Sequence, residues 1–290
     1  MIGLGYDGVI RRRVRKSAVL ATAAGRAVVK GRRPSIVRGY WWADIPNFGD
    51  LVTPWMLSEA GYMPFLDHQT KAQVAGCGSI LEHLRADFTG AVWGSGSMMG
   101  KPIDLPEATI VAVRGPHSAD LVGGRVTTFG DPGLLIARHV RRRSATTRVA
   151  FIPHHQHRDA GSFNGFLAAH GQEVDVIDVK WSPRRVASRI ARAQIVVSSS
   201  LHGMIFADSL GVPVLRALTS NELSGGDFKF TDYEAVLAPD PRWHVVDETT
   251  SLEDLERWAK PVDAATVTRV QRDLLGCLEP AVASGRSARP

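Results

Sequence analysis

The chain has 290 residues, 44% hydrophobic and 22% charged, proportions of a globular protein with two modest domains. No apolar run is long enough to cross a bilayer and no heptad persists. Cys77 and Cys277, 200 positions apart, make neither a disulfide framework nor a zinc knuckle. The net charge of +6 is unevenly divided: residues 1–33 hold nine cations against Asp7, so that arm is +8 and the remaining 257 residues are −2. A body of that balance excludes an extended phosphate-binding face for nucleic acid.

The arm opens with Arg11–Lys16 and the small apolar stretch Ala18–Ala24, which has the outline of an export signal. That stretch is too short and runs straight into Gly25-Arg26. A solvated basic helix is one reading. The other is an arm lying on anionic lipid, where each cation contributes ~1 kcal/mol. The expectation is a cytoplasmic protein, with residues 1–33 touching the inner face of the plasma membrane.

After the arm, short β-type runs alternate with helical stretches. Ile36–Trp42 reads as a strand and Gly49–Ala60 as a helix. Gln73–Gly76, Ala91–Trp93 and Thr109–Val113 read as strands, and Gly115–Leu121 and Pro132–His139 as short helices. The polar run 141–147 reads as a linker. Beyond it come strand Val149–Ile152, helix Gly161–His170, strand Val174–Val179, helix Pro183–Ala193, strand Ile195–Ser198, helix Gly203–Leu210 and strand Val212–Ala217. Alternating β and α with apolar, β-branched strands predicts parallel sheets covered on both faces. The fold class is therefore α/β, two doubly wound domains facing a cleft. Residues 34–143 form the first domain and 144–250 the second; 251–280 add helices, and 281–290 read as a disordered tail.

Ligands of such folds bind at the carboxyl ends of strands, beside helix N-termini. At the end of strand 195–198, Ser198-Ser199-Ser200-Leu201-His202-Gly203 opens a helix. These residues either line an anion held by free N–H groups, or merely cap the helix. Val113-Arg114-Gly115-Pro116 with Ser118 delivers an arginine fork, for a carboxylate or phosphate or for an ion pair. Pro46-Asn47-Phe48-Gly49-Asp50 puts a carboxylate in a first helical turn. Gly94-Ser95-Gly96-Ser97 is a small-residue loop suited to close backbone approach. Pro153-His154-His155-Gln156-His157 lacks an obvious third metal ligand, and reads as a loop lending one imidazole to the cleft. Trp41-Trp42 and Trp55 either face a sugar or pack in the core.

Taken together with Gly130-Asp131-Pro132 and Lys229-Phe230-Thr231-Asp232-Tyr233, these motifs resemble the polysaccharide pyruvyl transferase family over roughly residues 36 to 240. The resemblance implies a GT-B-like two-domain fold. It also implies transfer of a pyruvyl group from phosphoenolpyruvate (PEP) to a sugar, as a ketal, in exopolysaccharide or cell-wall glycan biosynthesis. The first domain would then serve the acceptor and the second the PEP phosphate. By resemblance, Arg114, Leu201 and His202 associate with PEP. Ser200 stands where relatives often carry Arg, so that anion contact is lost or supplied by Lys229 or Arg216.

The chemistry needs protonation of the enol carbon, attack by a sugar hydroxyl, loss of phosphate and closure by a second hydroxyl. His202 is the candidate acid, because an imidazole titrates near working pH. Asp50 is the candidate base, with His154 second. Asn47, Gly49, Ser95, Gly96, Ser97, Ser118, Ser199, Ser200, Gly203 and Lys229 complete the expected binding set. This scheme calls for no metal or cofactor beyond PEP as donor. Partners are PEP and a glycan or lipid-linked saccharide. Two alternatives remain open: a sugar-nucleotide glycosyltransferase of the same architecture, and an inactive carbohydrate-binding relative.

Overall fold

The computed structural model describes Gly25 and residues 35–219, 227–238 and 240–287. The basic arm and its expected lipid contact lie, Gly25 apart, outside the described residues. Among them no helix is long and apolar enough to cross a membrane.

The first lobe carries β1 (Ser35–Tyr40), α1 (Val52–Glu59), β2 (Tyr62–Leu66), β3 (Val74–Ala75), β4 (Ala91–Ser95), β5 (Thr109–Val113) and α2 (Pro116–Leu121), followed by a 3-10 helix at Pro132–Arg138. Its sheet runs β2-β1-β3-β4-β5, all parallel. The second lobe carries β6 (Thr147–Ile152), α3 (Gly161–His170), β7 (Val174–Val176), α4 (Pro183–Ile190), β8 (Ala193–Ser198), α5 (Leu201–Leu210), β9 (Val214–Leu218), α6 (Phe228–Leu237), β10 (Trp243–Val245) and α7 (Leu252–Trp258). Its sheet, also parallel throughout, runs β10-β9-β8-β6-β7. These are the two doubly wound parallel sheets the sequence predicts.

Local chemistry accounts for the helix ends that matter. In α4, Pro183 fills the first helical position and Ser182 Oγ accepts from Arg185 N–H. Asp131 caps the 3-10 helix by accepting from Gly133 N–H. Gly211, at φ 65°, takes the left-handed turn that stops α5.

Two features depart from the sequence reading. Residues 281–287 do not fray: α8 spans Ala264–Ser287, and Ala281 and Val282 are buried. The apolar face of α8 packs on the first sheet, where Trp93 Nε1 donates to Leu274 O at 2.9 Å. The chain thus leaves the second lobe after α7, whose Leu252 and Leu255 join that lobe's core, and closes back over the first. The lobes also share one core. Phe48 packs edge-on against Phe206 at 4.9 Å between centroids, its N–H donates to Val179 O, and both rings belong to a cluster running from Val37 through Trp93 to Met204. Burial of that order ties the lobes more firmly than a polar hinge would.

Candidate active site

In both sheets the strand order is 2-1-3-4-5 when strands are counted within the lobe, so the topological switch points fall between β1 and β3 and between β6 and β8. Crevices outside the carboxyl ends of such strands are where α/β folds take ligands. The loop after β1 carries Asn47, Gly49 and Asp50, and the loop after β3 carries Cys77. His154 follows β6, and Ser199 to Gly203 follow β8. The two crevices face each other, bringing His202 of the second lobe onto Gly49, Cys77 and Asp131 of the first.

His202 is buried in the first turn of α5. Its Nε2 lies 3.1 Å from Cys77 Sγ and 3.7 Å from Asp131 Oδ2, and Cys77 Sγ lies 3.0 Å from Asp131 Oδ1. Burial would raise the Asp131 carboxyl, but His202, the Cys77 thiol and Gly133 N–H outweigh it and hold it below the usual range. Nε2 of His202 is thus turned to Cys77 and Asp131, and its Nδ1 lies against Gly49. Asn47 Oδ1 accepts from Gly49 N–H and shapes the turn. A Cβ on Gly49 would fall inside the His202 imidazole. Gly49→Ala is therefore expected to push the ring aside and cost about 1–3 kcal/mol, read by urea denaturation; a variant as stable as the native chain would contradict this packing.

Asp50 is partly buried, and lost hydration lifts its carboxyl. His202 and Lys229 pull it back, Asp131 pushes it up, and it settles at about 6. A carboxyl there changes protonation near neutral pH.

Beside it lies a group of cations. Lys229, in the first turn of α6, is buried and brought down to about 8 by burial and then by Arg114 and Arg216. Arg216 stacks 3.7 Å over Phe230 and pairs with Asp227. His154 falls to about 3, first through burial, and each charge acting on it is positive: Lys229, His155, His157 and His202. His155 and His157 are lowered by burial and by Lys229. His157 is buried with neither ring nitrogen partnered among the described residues. Ser199 Oγ accepts from His154 N–H at 2.8 Å and so fixes that loop. Ser200, Leu201 and Gly203 form the start of α5, which has no side-chain cap; Ser200 N–H instead donates to Ser198 Oγ. A cavity of about 560 Å³ opens next to this group, lined among others by Pro153, His155, Arg158, Asp178 and Trp181.

Arg114 is elsewhere. It is fully buried, its Nε donating to Asp232 Oδ2 at 2.9 Å, one terminal nitrogen to Ser79 Oγ and the other to Ser97 O. Asp232, on α6, also accepts from Ser118 N–H and Ser118 Oγ. The guanidinium lies flat on Gly96, where a Cβ would meet it. Ser97 N–H donates to Ser118 Oγ, its hydroxyl pairs with Glu82, and Ser95 Oγ donates to Gly78 O. Arg114, Ser95, Gly96, Ser97 and Ser118 thus build a buried clasp between the lobes. The sequence reading gave them to substrate; here their polar atoms are spent on one another and on α6.

Asp232, Asp131 and Cys77 were assigned no role in the sequence. Asp131 and Asp232 both sit within motifs that flag the family, and a carboxylate among apolar neighbours such as Phe230 and Tyr233 is the signal of a buried partner.

Succinoglycan biosynthesis protein ExoV of Rhizobium meliloti (strain 1021) is 28% identical over 236 residues, covering 76% of this chain and 71% of the relative. Uncharacterized protein L143 of Acanthamoeba polyphaga mimivirus is 27% identical over 159 residues, 51% of this chain and 55% of that protein. A structure of the wall teichoic acid polymerase TagF overlays at TM-score 0.41 with 9% identity, covering 98% of this chain and 97% of that one. Residues 101–221, which include Arg114, Asp131, His154 and His202, match the polysaccharide pyruvyl transferase family.

Proposed function

We propose that this chain transfers the pyruvyl group of PEP to two hydroxyls of one sugar in a glycan, releasing phosphate. One observation carries the donor assignment beyond the family match: Lys229, Arg216 and three imidazoles crowd together with more positive than negative neighbours. Such a cluster is costly when empty and favourable around a small polyanion. PEP, with a carboxylate and a phosphate, has that charge and size. Lys229 and Arg216 stand in for the arginine that Ser200 replaces, and Arg114 holds α6 so that Lys229 points inward.

The balance is simple. A proton adds to C3 of the enol and C2 becomes oxocarbenium-like. One sugar hydroxyl attacks C2 and gives up its proton. The C2–O bond to phosphate breaks, the phosphate taking one proton, and a second hydroxyl closes the ketal as it loses its own. Asp50, titrating at about 6, is the group we assign to these transfers. The cavity sharing His155 with the cations offers the acceptor room, with Ile45 alone from the first lobe. That moves the acceptor toward the second lobe, away from the side expected from sequence.

A sugar-nucleotide glycosyltransferase would need a carboxylate beyond the α5 start for a ribose. Asp208 is the carboxylate there, and it is already held by Arg242 at 2.7 and 3.0 Å and by Tyr233 Oη at 2.8 Å. Calorimetry with PEP and with UDP- and GDP-sugars tests the donor. PEP binding, followed by phosphate release and a new ketal methyl signal with saccharides bearing 4,6-diols, is the expected result. Binding of a nucleotide sugar with none of PEP would overturn the reading.

Lys229 gives a further expectation. Its ammonium is charged below about 8 and neutral above, so PEP affinity is full on the acid side and falls as pH rises through that value. Lys229→Met should weaken PEP about 10- to 100-fold, the worth of a charged hydrogen bond, and flatten the alkaline decline. An unchanged pH profile in the variant would remove Lys229 from the donor site.

A further inference from the structure

We propose that Cys77, Asp131 and His202 hold a divalent transition metal, zinc in class, where the two lobes meet. The three donors come from separate places: the loop after β3, the cap of the 3-10 helix, and the first turn of α5. Cys77 Sγ lies 3.1 Å from His202 Nε2, which lies 3.7 Å from Asp131 Oδ2, and one ligand atom of each residue falls within 4.8 Å of the other two. Bond lengths of 2.0–2.3 Å in tetrahedral zinc give donor–donor edges of about 3.4–3.6 Å. Shifts of about half an ångström would bring these two edges to that range.

The site is buried, with Cys77 and Asp131 at 0% exposure, and Asp131 Oδ2 has no hydrogen-bond partner among the described residues. A buried carboxylate oxygen left without a partner is costly; a cation beside it removes that cost. A thiolate, an imidazole and a carboxylate select a borderline ion over magnesium or calcium. Asp131 Oδ1 is held by Gly133 N–H at 2.7 Å, the outer contact that aims a metal ligand. Loading the ion displaces the Cys77 thiol proton to solvent and uses Asp131 ionised and His202 neutral. Three protein donors leave one tetrahedral position for water or a substrate oxygen.

The test needs neither PEP nor an acceptor, so its failure leaves pyruvyl transfer standing, and failure of pyruvyl transfer leaves the metal site standing. Full-length protein carrying Cys277→Ser, so that Cys77 is its only thiol, is stripped with EDTA and titrated with Co²⁺, then with Zn²⁺ in competition. One equivalent should bind with a thiolate-to-cobalt charge-transfer band, which Zn²⁺ abolishes. Cys77→Ser and Asp131→Asn should each weaken binding by more than about 100-fold, beyond the loss typical of an outer-shell contact. The charge-transfer band is read on the chain with Cys77 and Asp131 intact, so the proposal stands or falls even where a ligand variant fails to fold. Absence of the band in folded protein, or equal affinity in a folded Cys77→Ser variant, would overturn it.

Discussion

Arg114→Met is expected to cost the folded chain about 3–5 kcal/mol, because it leaves Asp232 charged, fully buried and deprived of its cation. Asp232→Asn should cost a similar amount by the converse route. Both side chains have 0% exposure, and the guanidinium spends its other donors on Ser79 and Ser97. The pair need not be a net source of stability. Two charges withdrawn from water regain through attraction roughly what they lose in hydration, so joint replacement by apolar groups of similar volume is often nearly neutral. Arg114→Met combined with Asp232→Leu should therefore recover much of the loss, giving a coupling well beyond the error of urea denaturation. A donor-binding Arg114 would behave otherwise: Arg114→Met would keep its stability and lose PEP affinity, and Asp232→Asn would not resemble it. The clasp also positions α6, so the stability loss should carry with it some loss of PEP binding through Lys229.

The sequence exposed the alternation of strand and helix because apolar β-branched runs such as Val149–Ile152 and Ile195–Ser198 are bounded by turns. It hid two of the four edge strands. Strand β2 contains Pro64, which belongs only at an edge, where β2 indeed lies. Strand β10 is exposed along its length and lacks an apolar run. Helix α6 escaped because Lys229, Asp232 and Glu234 are buried, so its inward face does not read as apolar. In the tail Ala281, Val282 and Gly285 are buried, and Gly285 packs against the carbonyl of Gln73, more than two hundred positions away. The site divides in the same way. Motif residues stood out singly, but whether a polar residue faces substrate or another residue depends on partners 114 to 125 positions away, as with Ser118 and Asp232 or Cys77 and His202. Spacing along the chain carries no information about such pairs.

Asp50→Asn is expected to lower kcat by about 10²–10⁴, the usual contribution of a positioned proton-transfer group, with folding intact. Asn keeps the shape of the carboxyl but neither takes nor gives the proton, and being nearly isosteric it changes little packing. The sign of the effect on donor binding separates this role from a structural one. Asp50 opposes the charge of Lys229 and draws its pKa upward. Removing that carboxylate leaves the cation group with less opposition, so PEP should bind as tightly or more tightly while turnover collapses. Calorimetry with PEP and phosphate release with a diol-bearing acceptor read the two quantities separately. If kcat stays within about threefold of the native value, the proton moves through another group. His154 is then excluded as an acid, since burial and its cationic neighbours hold it neutral down to about pH 3. The remaining candidate would be Nδ1 of His202, the ring atom lying against Gly49. A metal bound at Nε2 would leave that atom its proton and make it a stronger donor. In that case turnover would follow metal content, and the EDTA-stripped protein would lose activity together with Asp131→Asn.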